Sequence, residues 1–316
     1  MSGVANYGSV LVTGASGYIG SRLVADLEAV GIDVRRGSRR TGISGSIHID
    51  YCDPASLARA CSGVSAIIHL AGSNEIDAAS DPELALINTA GYTIRLLQAA
   101  IQAGVSRFIY FSTVHVYGSP LSGIITEDSA TYPTHAYSIC HKAAEDYAHQ
   151  AHCEGKIQVA IVRLSNSFGY PLHSTINRWT LLVNDLCKQA ALFGSIQLKT
   201  HGLQLRDFIP LADVSRAVLV LLQATRTFRP FYNLASGRSV SIIAMAELIA
   251  DRHLVLFGSL LDIKRPSPIG QSAGSDLEIR IDRLRALGYQ PLEDWSAEID
   301  GMLRRCRLWF GADKGV

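Results

Sequence analysis

The stretch SVLVTGASGYIGSRLVADLEAVG, Ser9 to Gly31, carries the reading of the fold. It opens on SVLVTG, apolar without alternation, which is how a strand covered on both faces of a parallel sheet reads. Ser21 to Gly31 places apolar residues at helical spacing and stops at a glycine, as helices commonly do. Between the two, TGASGYIG sets Gly14, Gly17 and Gly20 three residues apart. Glycines so spaced allow a tight turn, close approach of backbone to a pyrophosphate, and packing of the helix on the strand, while the helix N-terminus attracts phosphate. In an isolated loop they would be an ordinary turn. In strand-turn-helix order they predict a dinucleotide site formed by Gly14, Ser16, Gly17, Tyr18, Ile19 and Gly20.

The pattern repeats outward from there. SAIIHLAG (Ser65 to Gly72), RFIYFST (Arg107 to Thr113) and QVAIVRLS (Gln158 to Ser165) are further continuous apolar runs, and TIRLLQAAIQAG (Thr93 to Gly104) is a second glycine-terminated helix. Alternation of this kind predicts an α/β fold, a doubly wound parallel sheet of the Rossmann type with a smaller C-terminal substrate-binding domain. The expected division is 1–165 for the dinucleotide half, with a returning segment near 206–235, and 166–205 with 236–316 for the substrate domain. After Ser165 the rhythm loosens around Pro171 and RPSPIGQSAGSD (Arg265 to Asp276), with helical patterns near Ser241 to Ile249 and Asp282 to Leu287.

Composition narrows the class. The 316 residues are 48% hydrophobic and 18% charged, enough for a large core. A net charge of +1 gives no field for nucleic acid or an anionic membrane, and neither is expected as a partner. The cysteines show no C-x-x-C pair and no ligand-like spacing to histidine, so no metal is expected, and reduced thiols in a cytoplasmic protein are. MSGVANYG lacks the features of a signal peptide, and no apolar run approaches the length of a membrane span.

The choice between nicotinamide cofactors falls on GIDVRRGSRR (Gly31 to Arg40). An acid at the strand's end would bond the adenosine ribose and repel a 2′-phosphate. Ser38 stands there, followed by Arg39 and Arg40, whose guanidinium forks suit phosphate. NADP(H) is therefore favoured, with NAD(H) the alternative if the arginines are only a solvated strand end. Asp50 and Tyr51 of HIDYCD are candidates to flank the adenine, and Leu70, Ala71 and Gly72 to run beside the cofactor; both segments equally suit plain strand ends.

Seven further segments, taken with TGASGYIG, resemble the extended short-chain dehydrogenase/reductase family in its nucleotide-sugar epimerase, dehydratase and reductase branch. They are HLAG, the helix-opening NTAGY from Asn88, FSTVHVYG from Phe111, YSICHKAAE from Tyr137, RLSNSFGYP from Arg163, LRDFIPLADVSRA from Leu205 and YNLASGRSVS from Tyr232. The resemblance implies that Thr113 bonds the sugar's C4 oxygen, that Tyr137 is the general acid/base there, that Asn166 and Arg206 lie near a sugar nucleotide's diphosphate, and that Asn88 belongs to the cofactor site. It also implies a homodimer. As hydride joins or leaves C4, charge shifts at O4, which a phenol and a second donor stabilise.

One departure stands out. The family's tyrosine is followed four residues later by lysine; here that position is His141, and Lys142 is one residue further. Tyr137, His141 and Glu145 share a helix face, whereas Lys142 is rotated by about 100°. The lysine holds the nicotinamide ribose and lowers the tyrosine's pKa; a histidine can donate one ribose hydrogen bond but carries little charge at neutral pH. His141 is expected to act in both the cofactor and the catalytic set. Dehydratases carry Asp-Glu after their threonine and this chain has Val114 and His115, which argues against dehydration. His115 either serves as acid/base beside the sugar or only lines the pocket. With NADP(H), reduction of a 4-keto sugar nucleotide fits; with NAD, 4-epimerisation; loss of turnover would leave a non-catalytic NADP(H) sensor or scaffold.

Overall fold

The computed structural model describes residues 8–176, 178–224, 229–266 and 276–311. Most of RPSPIGQSAGSD, expected to border the nucleotide, lies outside the described residues. Among the described residues, seven strands form the central sheet in the order Phe231–Leu234, Gln158–Leu164, Arg107–Thr113, Val64–His69, Ser9–Thr13, Val34–Ser38, Ser46–His48. Every neighbouring pair is parallel. The chain winds one way from Ser9–Thr13 to Ser46–His48 and then the other way, so the sheet's order reverses beside its first strand. Ligands of such sheets bind in the crevice at that reversal, beyond the strands' carboxyl ends, which is where the glycine loop lies.

Period-2 geometry explains why the strands are apolar throughout. Val10 and Val12 enter one core, with Leu23, Leu27 and Val218 of the helices Tyr18–Ala29 and Leu211–Gln223. Leu11, between them, enters the core on the opposite face, with Leu57, Leu96 and Ala144 of Pro54–Cys61, Tyr92–Gln102 and Ala136–Cys153. Helices on both faces leave no position for a polar alternate. A third cluster joins Phe168, Leu186, Ile249, Trp295 and Ile299, packed among the helices Leu182–Phe193, Ile242–Phe257 and Ser296–Phe310.

The helix expected to open at NTAGY is already under way there. Asp81 accepts from Leu84 N at 2.9 Å and Pro82 takes the first helical position, so the chain enters helix at Pro82–Leu86 and passes through a π-helical turn, Ile87–Gly91, into Tyr92–Gln102. A capping carboxylate and a proline free of the need to donate start a helix more firmly than Asn88 does.

A buried ion pair ties the last helix to the first. Arg22 NH1 lies 2.8 Å from Glu298 Oε1, with side-chain exposures of 7% and 6%, and also reaches the Tyr170 carbonyl at 3.1 Å. Tyr170 N donates to the same carboxylate. Removing one partner would strand a charge away from water, so Glu298→Ala is expected to lower the unfolding free energy by about 3–5 kcal/mol in denaturant titration. A loss below about 1 kcal/mol would mean that solvent screens the pair.

Candidate active site

The glycine loop is shaped by contacts that no side chain tolerates. Gly14 has φ +69°, and a Cβ on Gly20 would lie 2.1 Å from the Gly14 carbonyl oxygen. The first helix therefore starts against the end of the first strand, with the backbone bare towards the crevice. Two cavities of about 320 and 300 Å³ open there and share Tyr18, Ile19 and Arg178 in their walls, forming one cleft.

The cavity over the loop is lined by Gly14, Ser16, Gly17, Tyr18, Ile19, Gly20, Ser38, Arg39, Arg40, Tyr51, Leu70, Ala71 and Gly72. Its far end is shaped by Ser38, whose Oγ accepts from Arg40 N at 3.0 Å and turns the strand so that both arginines reach the wall. Tyr51 stacks on Tyr92 at 4.7 Å between ring centroids, and Arg39 lies 6.0 Å from the Tyr92 ring. No carboxylate is among the described residues lining this cavity. A bare loop for a pyrophosphate, an aromatic wall and two cations fit a dinucleotide.

Three residues of the expected cofactor set, Asp50, Asn88 and His141, do not line it. Asp50 is exposed, its carboxylate drawn into a turn that accepts from Cys52 N at 2.8 Å. Asn88 accepts from Arg39 NH1 at 3.3 Å and so touches the site only through the arginine.

The second cavity brings Thr113, His115, Tyr137, Asn166 and Arg206 together. Thr113 ends its strand and accepts from His115 N at 3.2 Å, which leaves its hydroxyl hydrogen to donate, and it shares the cavity wall with Tyr137. Burial, reinforced by Glu75, pushes the Tyr137 phenol up, against the opposing pull of Arg178 and Thr113. Asn166 Nδ2 donates to the Asp207 carbonyl at 2.8 Å, and Arg206, on the same strand Leu205–Pro210, is exposed to the cleft. His115 is neutral, burial and His135 having lowered its pKa.

Glu75, Ser112 and Arg178 also line this cavity and were not foreseen. Glu75 and Arg178, 3.5 Å apart, come from segments 103 positions apart in sequence, and neither stands in a motif. Asn74 signals only a helix start, capping Glu75–Ser80 by accepting from Ile76 N and Asp77 N.

His141 lies under the site rather than in its wall. It is buried, its ring meets that of Tyr137 edge-on at 4.6 Å, and its Nδ1 is 2.7 Å from Tyr110 Oη. Burial lowers its pKa to about 3, so it carries no charge at neutral pH. One turn on, Glu145 accepts from Ser112 Oγ at 2.6 Å and from Arg163 at 3.0 and 2.7 Å. Lys142 turns to the other side of the helix and pairs with Asp146. Among the described residues no group of three or more His, Cys, Asp or Glu could hold a metal ion, and no helix is long and apolar enough to cross a membrane.

A model of the NAD-dependent epimerase/dehydratase family matches residues 10–235. The chain belongs to that family. It is 28% identical to UDP-glucose 4-epimerase of Azospirillum brasilense, covering 95% of this chain and 91% of the relative. It is also 28% identical to dTDP-D-glucose 4,6-dehydratase of Mus musculus, covering 97% and 92%. MoeE5, solved in complex with UDP-glucose and NAD, superposes with a TM-score of 0.77 at 26% identity, covering 95% of this chain and 99% of that one. The epimerase/dehydratase match begins inside the strand that feeds the glycine loop and ends just past Phe231–Leu234, the outermost strand of the sheet.

The glycine contacts make this loop the place to test dinucleotide binding. Gly20→Ala is expected to weaken NADPH and NADH at least about tenfold in fluorescence titration, since even one displaced charge-assisted hydrogen bond is worth that much. Unchanged affinity would show that the pyrophosphate does not rest on this turn.

Proposed function

We propose that the protein is an NADP(H)-dependent oxidoreductase acting at C4 of a nucleotide-linked hexose, with net reduction of a 4-keto sugar nucleotide as its reaction. The observation that carries the reading is the cleft itself. Among the described residues, its loop end has Ser38, Arg39 and Arg40 and no lining carboxylate, and its other end has Thr113 and Tyr137 with Asn166 and Arg206. Arginine forks favour a 2′-phosphate, where a carboxylate would repel it.

A nicotinamide dinucleotide bound in the loop cavity supplies the hydride. The chain's own residues do the rest. As the carbonyl carbon is reduced, its π electrons move to O4, and Tyr137 breaks its O–H bond to give that oxygen a proton. Thr113 steadies the developing charge as the second donor. The remaining phenolate regains a proton from solvent. Asn166 and Arg206 hold the diphosphate and so fix the hexose against Tyr137.

The protonation state of Tyr137 favours the reductive direction. With its pKa raised and His141 neutral, the phenol keeps its proton at neutral pH, ready to act as an acid. Removing a proton from a C4 hydroxyl, the first step of epimerisation, asks for the phenolate instead. Dehydration is less favoured, because Val114 and His115 stand where Asp-Glu is expected of a dehydratase; Val114 is buried in the core and His115 is neutral in the wall it shares with Glu75. His115 is the remaining candidate for proton transfer beside the sugar.

A second reading, NAD-dependent 4-epimerisation, is favoured by the 28% identity to a UDP-glucose 4-epimerase and by the likeness to MoeE5, which holds UDP-glucose and NAD. The two are separated by incubating the protein with NADPH and a UDP- or dTDP-linked 4-ketohexose. Stoichiometric NADPH oxidation is expected, with kcat reduced roughly 10²–10⁴-fold in Tyr137→Phe and dinucleotide affinity unchanged. Interconversion of UDP-glucose and UDP-galactose without net cofactor consumption would instead establish the epimerase.

A further inference from the structure

Among the described residues, the wall of the cavity that holds Tyr137 contains a single carboxylate, that of Glu75. An acid is unexpected in a cleft that takes a diphosphate, and its surroundings fix it there. Asn74 caps the helix Glu75–Ser80, accepting from Ile76 N at 2.9 Å and Asp77 N at 3.0 Å and donating to the Asp77 carboxylate at 2.7 Å. Asp77 is thereby engaged in the cap, and Glu75 is left to line the cavity. Arg178 meets it there, NH1 lying 3.5 Å from Glu75 Oε2. The Arg178 carbonyl accepts from Nδ2 of the fully buried Asn184 at 3.1 Å, so the arginine's backbone is anchored while its side chain stays partly open to the cleft.

The pairing decides what charge the hexose end can accept. Arg178 and Arg206 are the described cations of this wall, and His115 is neutral. Arg206 is assigned to the diphosphate. Among the described residues, Glu75 and Arg178 have no ion-pair partner but each other. A cavity of about 320 Å³ is only about 8 Å across, within one Debye length at physiological salt, so a charge anywhere in it feels both groups. The pair is felt at the reacting end, where Glu75 and Arg178 act in opposite directions on the Tyr137 phenol. A carboxylate on the sugar would shed its water beside an acid of like charge, with no free cation to receive it. A hydroxymethyl or methyl group in its place carries no such cost.

We infer that Glu75, by engaging Arg178, is a specificity-determining residue that restricts the cleft to nucleotide-linked hexoses without a sugar carboxylate. The discrimination works by exclusion: the glutamate penalises the uronic acid rather than attracting the neutral hexose. Without it, Arg178 would offer a guanidinium fork to that carboxylate. The inference deepens the proposed function and rests on its reading of this cavity as the hexose site.

The test is calorimetric titration of the protein, without added cofactor, with UDP-glucose, UDP-glucuronic acid and the corresponding dTDP-linked pair. The glucose form is expected to bind at least about tenfold more tightly than its uronic acid, since placing like charges together costs at least that much. In Glu75→Gln that preference should fall at least about tenfold, and adding Arg178→Gln should abolish the gain in affinity for the uronic acid. Taking the ratio cancels any effect of a substitution on the nucleotide that the two ligands share, and continued binding of the glucose form shows that each variant is folded. The preference of the unaltered protein is a readout that needs no variant. Near-equal affinities in the unaltered protein, an unmoved preference in Glu75→Gln, or a gain that survives the loss of Arg178 would each overturn the inference alone. Failure of all four ligands to bind would instead overturn the sugar-nucleotide reading beneath it, and the inference with it.

Discussion

The ion pair between Arg163 and Glu145 is the constraint on which the site depends. It is almost wholly buried, with side-chain exposures of 4% and 0%, and such a pair survives desolvation only when its geometry is good and its remaining atoms are bonded. Both conditions hold: two guanidinium nitrogens meet the two carboxylate oxygens, and Ser112 adds a third donor. Arg163 sits in the strand Gln158–Leu164 and Ser112 in Arg107–Thr113, so Glu145 pins its helix to both strands at once. Two turns back along the same face stands Tyr137, and next to Ser112 in its strand stands Thr113. The distance between the two hydroxyls of the site is therefore set by a charge pair that touches neither.

The same helix face accounts for the site's electrostatics. Tyr137, His141 and Glu145 succeed one another at helical spacing, each meeting a different partner in the sheet. The usual cation is replaced by a neutral imidazole bound to a phenol, and the one lysine nearby faces an aspartate on the far side. Tyr137 consequently holds its proton tightly. A site of this kind suits chemistry that consumes a proton at O4.

Much of this was legible in the chain, and the reasons are local. Strands buried on both faces announce themselves as unbroken apolar runs, and the glycine spacing marks the one loop where backbone must approach a ligand. The helical offset of His141 from Lys142 could be counted directly. What escaped depended on partners distant in sequence. Asp50 was read as a ligand for adenine because nothing in HIDYCD shows that Cys52 N would claim its carboxylate. Asn88 was read as a helix start, whereas Asp81 and Pro82 begin the helix earlier. Glu75, at the start of its helix, and Arg178 reach the cleft from segments distant in sequence, and the contacts Thr13–His69–Thr93 and Tyr110–His141 assemble only when three strands and two helices meet.

The central claim, that Ser38, Arg39 and Arg40 select an exchangeable NADP(H) for net reduction, is tested most directly by denaturing the freshly purified protein and identifying any released dinucleotide by mass spectrometry. An empty site, or one partly filled by NADP⁺ or NADPH, is the predicted result. Stoichiometric, tightly retained NAD would contradict it, because a cofactor that never leaves belongs to a cycle in which oxidation and reduction cancel.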